Sequence, residues 1–296
     1  MSVGLIASNY TCPNCNENMK LVERKDLDDG YTWVCRVYGN NKHYVKRSIR
    51  CGSWFEESRL SLIHILELTY LWVKRTRCEW ITDELGISKN TVTDWMNFCR
   101  DVCVEAVVRE SVMLGGPGKI VEIDKSKFSK RKYNRGKRVK GEWVFGGVER
   151  GSNVCFVEVV ENRSAPVLLD VLTKYVLPGS TVISDCWKAY DCLEDEGFVH
   201  LKVNHSITFK DPDTGAHTNT VEGMWNCIKR NLKQVRKIDE GFESYLSEFM
   251  WWRIHQENYP KLFTTFLDAI RDAYPPATYD APKIKAAKGK MKNHEN

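Results

Sequence analysis

A chain of 296 residues, 42% of them apolar, with a net charge of +5, can bury one large core or two to three smaller ones. So mild a basic excess does not by itself argue for a polyanionic partner, and no apolar run approaches the ~18 residues of a membrane span. Eleven cysteines, an odd number, with no charged-then-apolar leader, point to a reduced, intracellular protein whose thiols are ligands or core residues rather than disulfides.

Residues 1–58 are poor in periodic apolar pattern and read as a zinc-ribbon-like module. Cys12-Pro-Asn-Cys15 is a knuckle in which Pro13 and Asn14 favour the tight turn that brings both sulfurs to one side. Cys35 follows the strand-like run Tyr31-Thr32-Trp33-Val34. A closed tetrahedral site needs a fourth ligand, for which Cys51 and His43 are the candidates. Bound Zn²⁺ would supply much of the folding energy of so small a segment.

Residues 59–112 read as a helical, helix-turn-helix region. LSLIHILELTYLWVKR carries apolar residues at three-to-four spacing. Thr82 or Asp83 starts a short helix ending near Gly86, and Ser88 caps the next. Val92 and Trp95 would pack inward. Lys89, Asn90, Thr93 and Asp94 would face a DNA groove. SVMLGGPG, at 111–118, reads as a linker.

Residues 118–275 alternate strand and helix. KIVEID, GEWVFGGVER and NVCFVEVVEN are three strands, and APVLLDVLTKYV is a helix. STVISD is a strand, DCWKAYDCLEDEG a helix, VHLKVNH a short strand and TVEGMWNCIKRNLKQV a helix. This order, βββαβαβα, is that of the α/β ribonuclease H-like fold. GFESYLSEFMWWRIHQ adds an amphipathic helix. Residues 276–296, with five lysines and no acid between Lys283 and Lys292, read as a basic, disordered tail.

Three carboxylates converge in that order. Asp124 closes the first strand, Asp185 closes the fourth, and Glu222 lies in the first turns of the late helix. Such a set can hold two divalent metals, which activate a water and stabilise the leaving oxygen of a phosphodiester. Nine Lys or Arg and no acid lie between Lys125 and Lys140. Of these, Lys130, Arg131, Lys132, Arg135, Lys137 and Arg138 read as phosphate clamps. Lys229 and Arg230 lie two turns beyond Glu222 on about the same helix face and would neutralise flanking phosphates.

The blocks VEIDKSKFSKRKYNRGKRVKGEWVFGGVER, VISDCWKAY and VNHS…TGAHTNTVEGMWNCIKR, with SIRCGSWFEESRLSL upstream, resemble the DDE transposases of the Merlin superfamily. These are related to a group of bacterial insertion-sequence transposases. The resemblance runs from about Cys12 to about His255. It implies Asp124, Asp185 and Glu222 as catalytic ligands of Mg²⁺ (or Mn²⁺). It also places Asn204, His205, His217 and Asn219 near the active site, with His217 more as an orienting residue than as a ligand. Lys125 departs from the family, which often carries an acid there. It would weaken metal binding or point away, as strand neighbours do. The resemblance further implies cleavage at terminal inverted repeats by metal-dependent hydrolysis, then joining of the 3′-hydroxyl to target DNA. The partners would be double-stranded DNA and a second copy of the chain or more, with no membrane. The protein would act wherever DNA is, in the nucleus if the host is eukaryotic. The rival reading is a domesticated, catalytically inactive DNA-binding protein. A plain nuclease of the ribonuclease H type is the third.

Overall fold

The computed structural model describes residues 3–128, 141–203, 211, 215–232 and 241–280. Contacts divide the chain into two compact units, Met1–Asn97 with Phe263–Asn296, and Phe98–Leu262. The sequence expectation put residues up to 275 with the catalytic domain. Instead, the segment after Leu262 groups with the N-terminal region.

In the first unit, β1 (Lys20–Glu23), β2 (Tyr31–Val37) and β3 (His43–Ser48) form an antiparallel sheet in that order. Helices α1 (Leu62–Val73), α2 (Cys78–Leu85) and the start of α3 (Lys89–Arg109) follow. Gly86, in the left-handed conformation, ends α2 as a residue without a Cβ can. The Ser88 hydroxyl accepts the Thr91 amide, as the sequence predicts for a cap. α2 begins at Cys78 rather than at Thr82, because the Thr82 hydroxyl bonds back to the Cys78 carbonyl inside the helix. A last helix, which the sequence reading missed, runs from Leu262 to Ala273 and packs on α1. Phe263 meets Tyr70 edge-on with centroids 5.3 Å apart, and Phe266 lies 5.1 Å from Trp72. The segment beyond it, expected to be disordered from residue 276, is tied down as far as Asp280. The Ala277 amide donates to Gly52, and Asp280 accepts from Arg47 and Tyr10.

The second unit contains β4 (Leu114–Gly115), β5 (Ile120–Phe128), β6 (Glu142–Glu149), β7 (Cys155–Val160), α4 (Ala165–Tyr175), β8 (Val176–Leu177), β9 (Thr181–Asp185), β10 (Val199–Val203), α5 (Asn219–Leu232) and α6 (Phe242–His255). Five strands make one mixed sheet in the order β10-β9-β5-β6-β7. β6 runs antiparallel to both β5 and β7, and β9 and β10 run parallel to β5. Alternation along the central strands feeds two cores. Val121, Ile123, Phe145 and Phe156 pack with Leu168 and Leu172 of α4 on one face. Val144, Val148 and Phe128 pack with Met224, Trp225 and Ile228 of α5 and Phe249 of α6 on the other. Each such side chain contributes ~1.5–3 kcal/mol when buried.

One predicted helix is absent. After β9 the chain makes a single 3₁₀ turn, Lys188–Tyr190, and then a series of turns. The Asp185 carboxylate accepts the Trp187 amide, a local bond that competes with helix. Glu194, Asp195 and Glu196 would also crowd negative charge onto a helix C-terminus.

Gly146 and Gly147 of β6 lie hard against neighbouring rings, one from α5 and one from the adjacent strand β7. A Cβ on Gly147 would meet the Phe156 ring at 2.5 Å, and one on Gly146 the Trp225 ring at 2.9 Å. Gly147→Ala is expected to destabilise the protein by ~1–3 kcal/mol through overpacking. It would appear as a lower urea midpoint at unchanged slope.

Candidate functional site

The acidic residues lie where two parallel strands part. β5 and β9 pair from Ile120–Thr181 to Glu122–Ile183 and then stop pairing. Continued in the same register, Asp124 stands level with Asp185. Contrary to expectation, Asp124 does not close its strand. β5 runs on to Phe128, held by β6, and Asp124 pairs with Gly146. Asp185 is the last residue of β9, as predicted.

Burial pushes the Asp124 carboxyl up to about 6, and the charge of Asp185 adds to the rise. The backbone amide and the ammonium of Lys125 oppose it. Ionising Asp124 therefore works against folding. This penalty is absent below the ordinary carboxylate value and complete above about 6. Such a carboxylate attracts a cation. A cation that acts on it is Lys125, whose Nζ donates to Asp185 Oδ2 at 2.6 Å and whose side chain is only 7% exposed. Of the two alternatives for Lys125, pointing away is the one the structure does not take. Glu222 lies in the first turn of α5 and accepts from the Thr218 hydroxyl at 3.0 Å. Among the described residues, Asp124, Asp185 and Glu222 do not come within 4.8 Å of one another as a set. All three are oxygen donors of the kind that suits Mg²⁺ or Mn²⁺. The ammonium on Asp185 shows that this carboxylate attracts positive charge.

The sequence reading passed over Glu122, which is wholly buried. Two residues before Asp124, it shares that residue's face of β5. Its carboxylate accepts from Arg150 Nε at 2.5 Å, from the Thr220 hydroxyl and amide at 2.8 Å each, and from the Val221 amide at 3.1 Å. His217 Nδ1 lies 3.4 Å away, and Arg150 Nη2 also donates to the His217 carbonyl. The two amides are free donors of the first turn of α5. A side chain of the strand that carries Asp124 thus caps the helix that carries Glu222. The signal in the sequence is an acid inside an apolar strand, which must be paired where it is buried.

In the first unit the structure brings Cys12, Cys15, Cys35 and His43 together, with one donor atom from each within 4.8 Å of the others. Cys15 Sγ lies 3.7 Å from Cys35 Sγ. His43 Nε2 lies 3.5 Å from Cys12 Sγ and 3.4 Å from Cys35 Sγ. A tetrahedral ion with ~2.3 Å sulfur bonds spaces its ligands by about 3.8 Å. His43 Nδ1 donates to the Asn41 carbonyl at 2.8 Å, which leaves Nε2 as the ligand atom. Burial works against the Cys12 thiolate, but the amides of Asn14 and Cys15 hold it down at about 7. Burial and the two neighbouring thiols push Cys35 up to about 12. This Cys₃His set could hold Zn²⁺. Cys51 stands apart, bonded to the Tyr10 hydroxyl and to Glu56. Hairpin pairing selects His43: Val37 opposes His43 and Cys35 opposes Val45, so Cys35 and His43 share a face, while Cys51 lies beyond the end of β3.

The remaining candidates are dispersed. Lys89, Asn90, Thr93 and Asp94 are exposed at the start of α3, while Val92 and Trp95 are buried. Asn219 opens α5, and Lys229 and Arg230 are exposed on its last turn. Lys130, Arg131, Lys132, Arg135, Lys137, Arg138, Asn204 and His205 lie outside the described residues.

Two expectations follow from this geometry. Glu122→Ala leaves Arg150 without its carboxylate and two α5 amides without an acceptor, and should lower stability by ~3–5 kcal/mol in a denaturant titration. His43→Ala should lose zinc, measured by metal analysis of the purified protein, while Cys51→Ala keeps it.

Comparison with known proteins gives these pieces a family. Residues 114–253 match the model of the ISXO2-like transposase domain. Over 97 residues the chain is 34% identical to an uncharacterized transposase-like protein of Haemophilus influenzae, covering 32% of this chain and 77% of the relative. Solved structures resemble it only distantly. The catalytic core of BIV integrase is 15% identical, with a TM-score of 0.32, over 45% of this chain and 81% of that one. The HTLV-2 integrase catalytic core, in complex with magnesium in its trimeric form, is 13% identical, with a TM-score of 0.29, over 46% and 84%. The span matched to the ISXO2-like domain contains Asp124, Asp185 and Glu222 together with the Glu122 clamp, and the chain belongs to the family of that transposase-like relative.

Proposed function

We propose that this chain is a DNA transposase of the Merlin type, built on a ribonuclease H-like catalytic domain. It would cut at the terminal inverted repeats of its element and join the resulting 3′-hydroxyl to target DNA. The observation that carries this reading is the register of Asp124 with Asp185 at the point where β5 and β9 separate. Asp124 and Asp185, with Glu222 from α5, are the residues that would hold Mg²⁺ or Mn²⁺. Such ions supply Lewis-acid stabilisation of the scissile phosphate and a lower pKa for the attacking water.

The chain's own residues would do the rest. Glu122 and Arg150 fix the start of α5 against β5, so that Glu222 is presented from a rigid base. Lys125 neutralises Asp185 and competes with a divalent ion for that carboxylate. The basic run from Lys125 to Lys140 and the exposed Lys229 and Arg230 would bind phosphates, with an affinity that falls steeply with salt. The Cys₃His module, as a zinc ribbon, and the exposed start of α3, as a recognition helix, would read the element's ends. Holding two ends together calls for a dimer or a larger assembly on DNA.

One observation favours a second reading. The Lys125 ammonium on Asp185 is what a domesticated, catalytically inactive DNA-binding protein would carry. Cleavage and strand transfer on DNA bearing the element's ends, with Mg²⁺ or Mn²⁺, separate the two. Nicking at the ends that falls by a factor on the order of 10³ in Asp185→Asn is the expected result, because one ligand and its charge are lost. Binding to the ends without cleavage in either protein would favour the inactive reading.

A further inference from the structure

A row of alternating cations and aromatic rings, of which only Lys125 and Lys127 belong to the basic run named above, leads away from Asp185. Lys127 Nζ lies 5.2 Å from the Trp143 ring centroid, and Arg163 Cζ lies 4.1 Å from the same centroid. Arg163 is also 4.8 Å from the Trp187 centroid. Lys125 Nζ is 5.0 Å from that centroid and 5.3 Å from that of Tyr190. Four separate pieces of chain supply these groups: β5, β6, the segment before α4 and the segment after β9.

Three features set this row apart from ordinary surface. Trp187 is 39% exposed, although it is the residue type with most to gain from burial. Among the described residues, Arg163 and Lys127 have no carboxylate partner, so their charge remains available. The row is fastened to the acidic centre, because the Trp187 amide donates to Asp185 Oδ1 at 3.3 Å and Lys125 donates to Asp185 Oδ2.

One exposed ring, Trp187, flanked by cations suits one chemical class of ligand, a nucleic-acid strand whose bases are free to stack. A base inside a duplex already has both faces covered. An unpaired base has a face to offer, and it gains by leaving water for an aromatic ring. We propose that Trp187 stacks an unpaired base of the DNA strand at the acidic centre, while Arg163 and Lys127 hold the adjoining phosphates. The row would capture a frayed or opened DNA end and so bring a phosphodiester to Asp185. This proposal rests on the transposase reading, and it adds that the substrate is recognised with its terminal pairs open.

The test uses the full chain and short duplexes carrying the element's end. One duplex is fully paired, and the other has its last few base pairs mismatched and carries 2-aminopurine in the unpaired strand. Wild type is expected to bind the opened duplex about tenfold more tightly than the paired one and to quench the 2-aminopurine emission. Trp187→Ala is expected to lose the preference and the quenching while binding the paired duplex as wild type does, which also shows that it is folded. Trp187→Phe should retain most of both. Equal wild-type affinity for the two duplexes, or a preference that survives Trp187→Ala, would overturn the stacking site and leave the transposase reading standing. Failure of wild type to bind either duplex would overturn both.

Discussion

The second unit depends on one buried carboxylate. Glu122 sits in the middle of an apolar strand with no exposure to solvent, and it is stable there because its acceptor capacity is met from several sides. Its partners are the first free amides of α5 and a guanidinium that also bonds the carbonyl of His217. The consequence is mechanical. Helix α5 cannot slide along the sheet without breaking charge-assisted bonds in a dry interface, where an unpaired charge is most unfavourable. Because Glu122 and Asp124 share a face, the clamp sets the distance between the strand acid and the first turn that carries Glu222.

Around that clamp, the acidic centre is balanced electrostatically rather than closed. Asp124 is desolvated enough to resist ionisation, whereas Asp185 is a third exposed and carries the Lys125 ammonium. Two neighbouring carboxylates at a strand fork repel each other, and a positive charge between them relieves both. A lysine does this with a compact charge on a flexible stem, which can withdraw without disturbing the sheet. The same ammonium lies over the rings of Trp187 and Tyr190, so the cation is held by ring faces as well as by a carboxylate.

The first unit solves a different problem. Its small sheet has an outer strand, β1, with every residue exposed, and the sheet packs, apart from the helices of the unit, on a cluster of its own around Tyr10, Trp33 and Met19. A core of that size is marginal without cross-links. Two polar devices extend it. Arg50, itself buried, bonds Asp29 and the carbonyls of Ser58 and Leu60. The Cys₃His set joins the N-terminal knuckle to the β2–β3 hairpin, and a metal there would make that junction part of the folding energy.

The sequence by itself determined what periodicity and local chemistry encode. Strands β5, β6, β7, β9 and β10 follow from apolar runs bounded by turn residues. The Ser88 cap and the Gly86 stop follow from the requirements of helix ends, and the Cys12–Cys15 knuckle from its spacing. The acids were legible as types in context, a carboxylate at or near the end of an apolar strand. Tertiary structure decided everything that depends on who faces whom. The β2–β3 register put His43, and not Cys51, beside Cys35, because diagonal partners across a hairpin are set by pairing and not by separation along the chain. The segment after β9 reads as helix, yet bonds to Asp185 and burial of Tyr190 against Phe145 hold it as turns. Lys125 belongs by alternation to the opposite face of β5, yet its long side chain reaches Asp185 at the strand fork. Glu122 looked like one more acid in VEID until α5 was laid across it. A charge's environment is built by segments distant in sequence, about a hundred residues away in this case, and no local pattern carries that information.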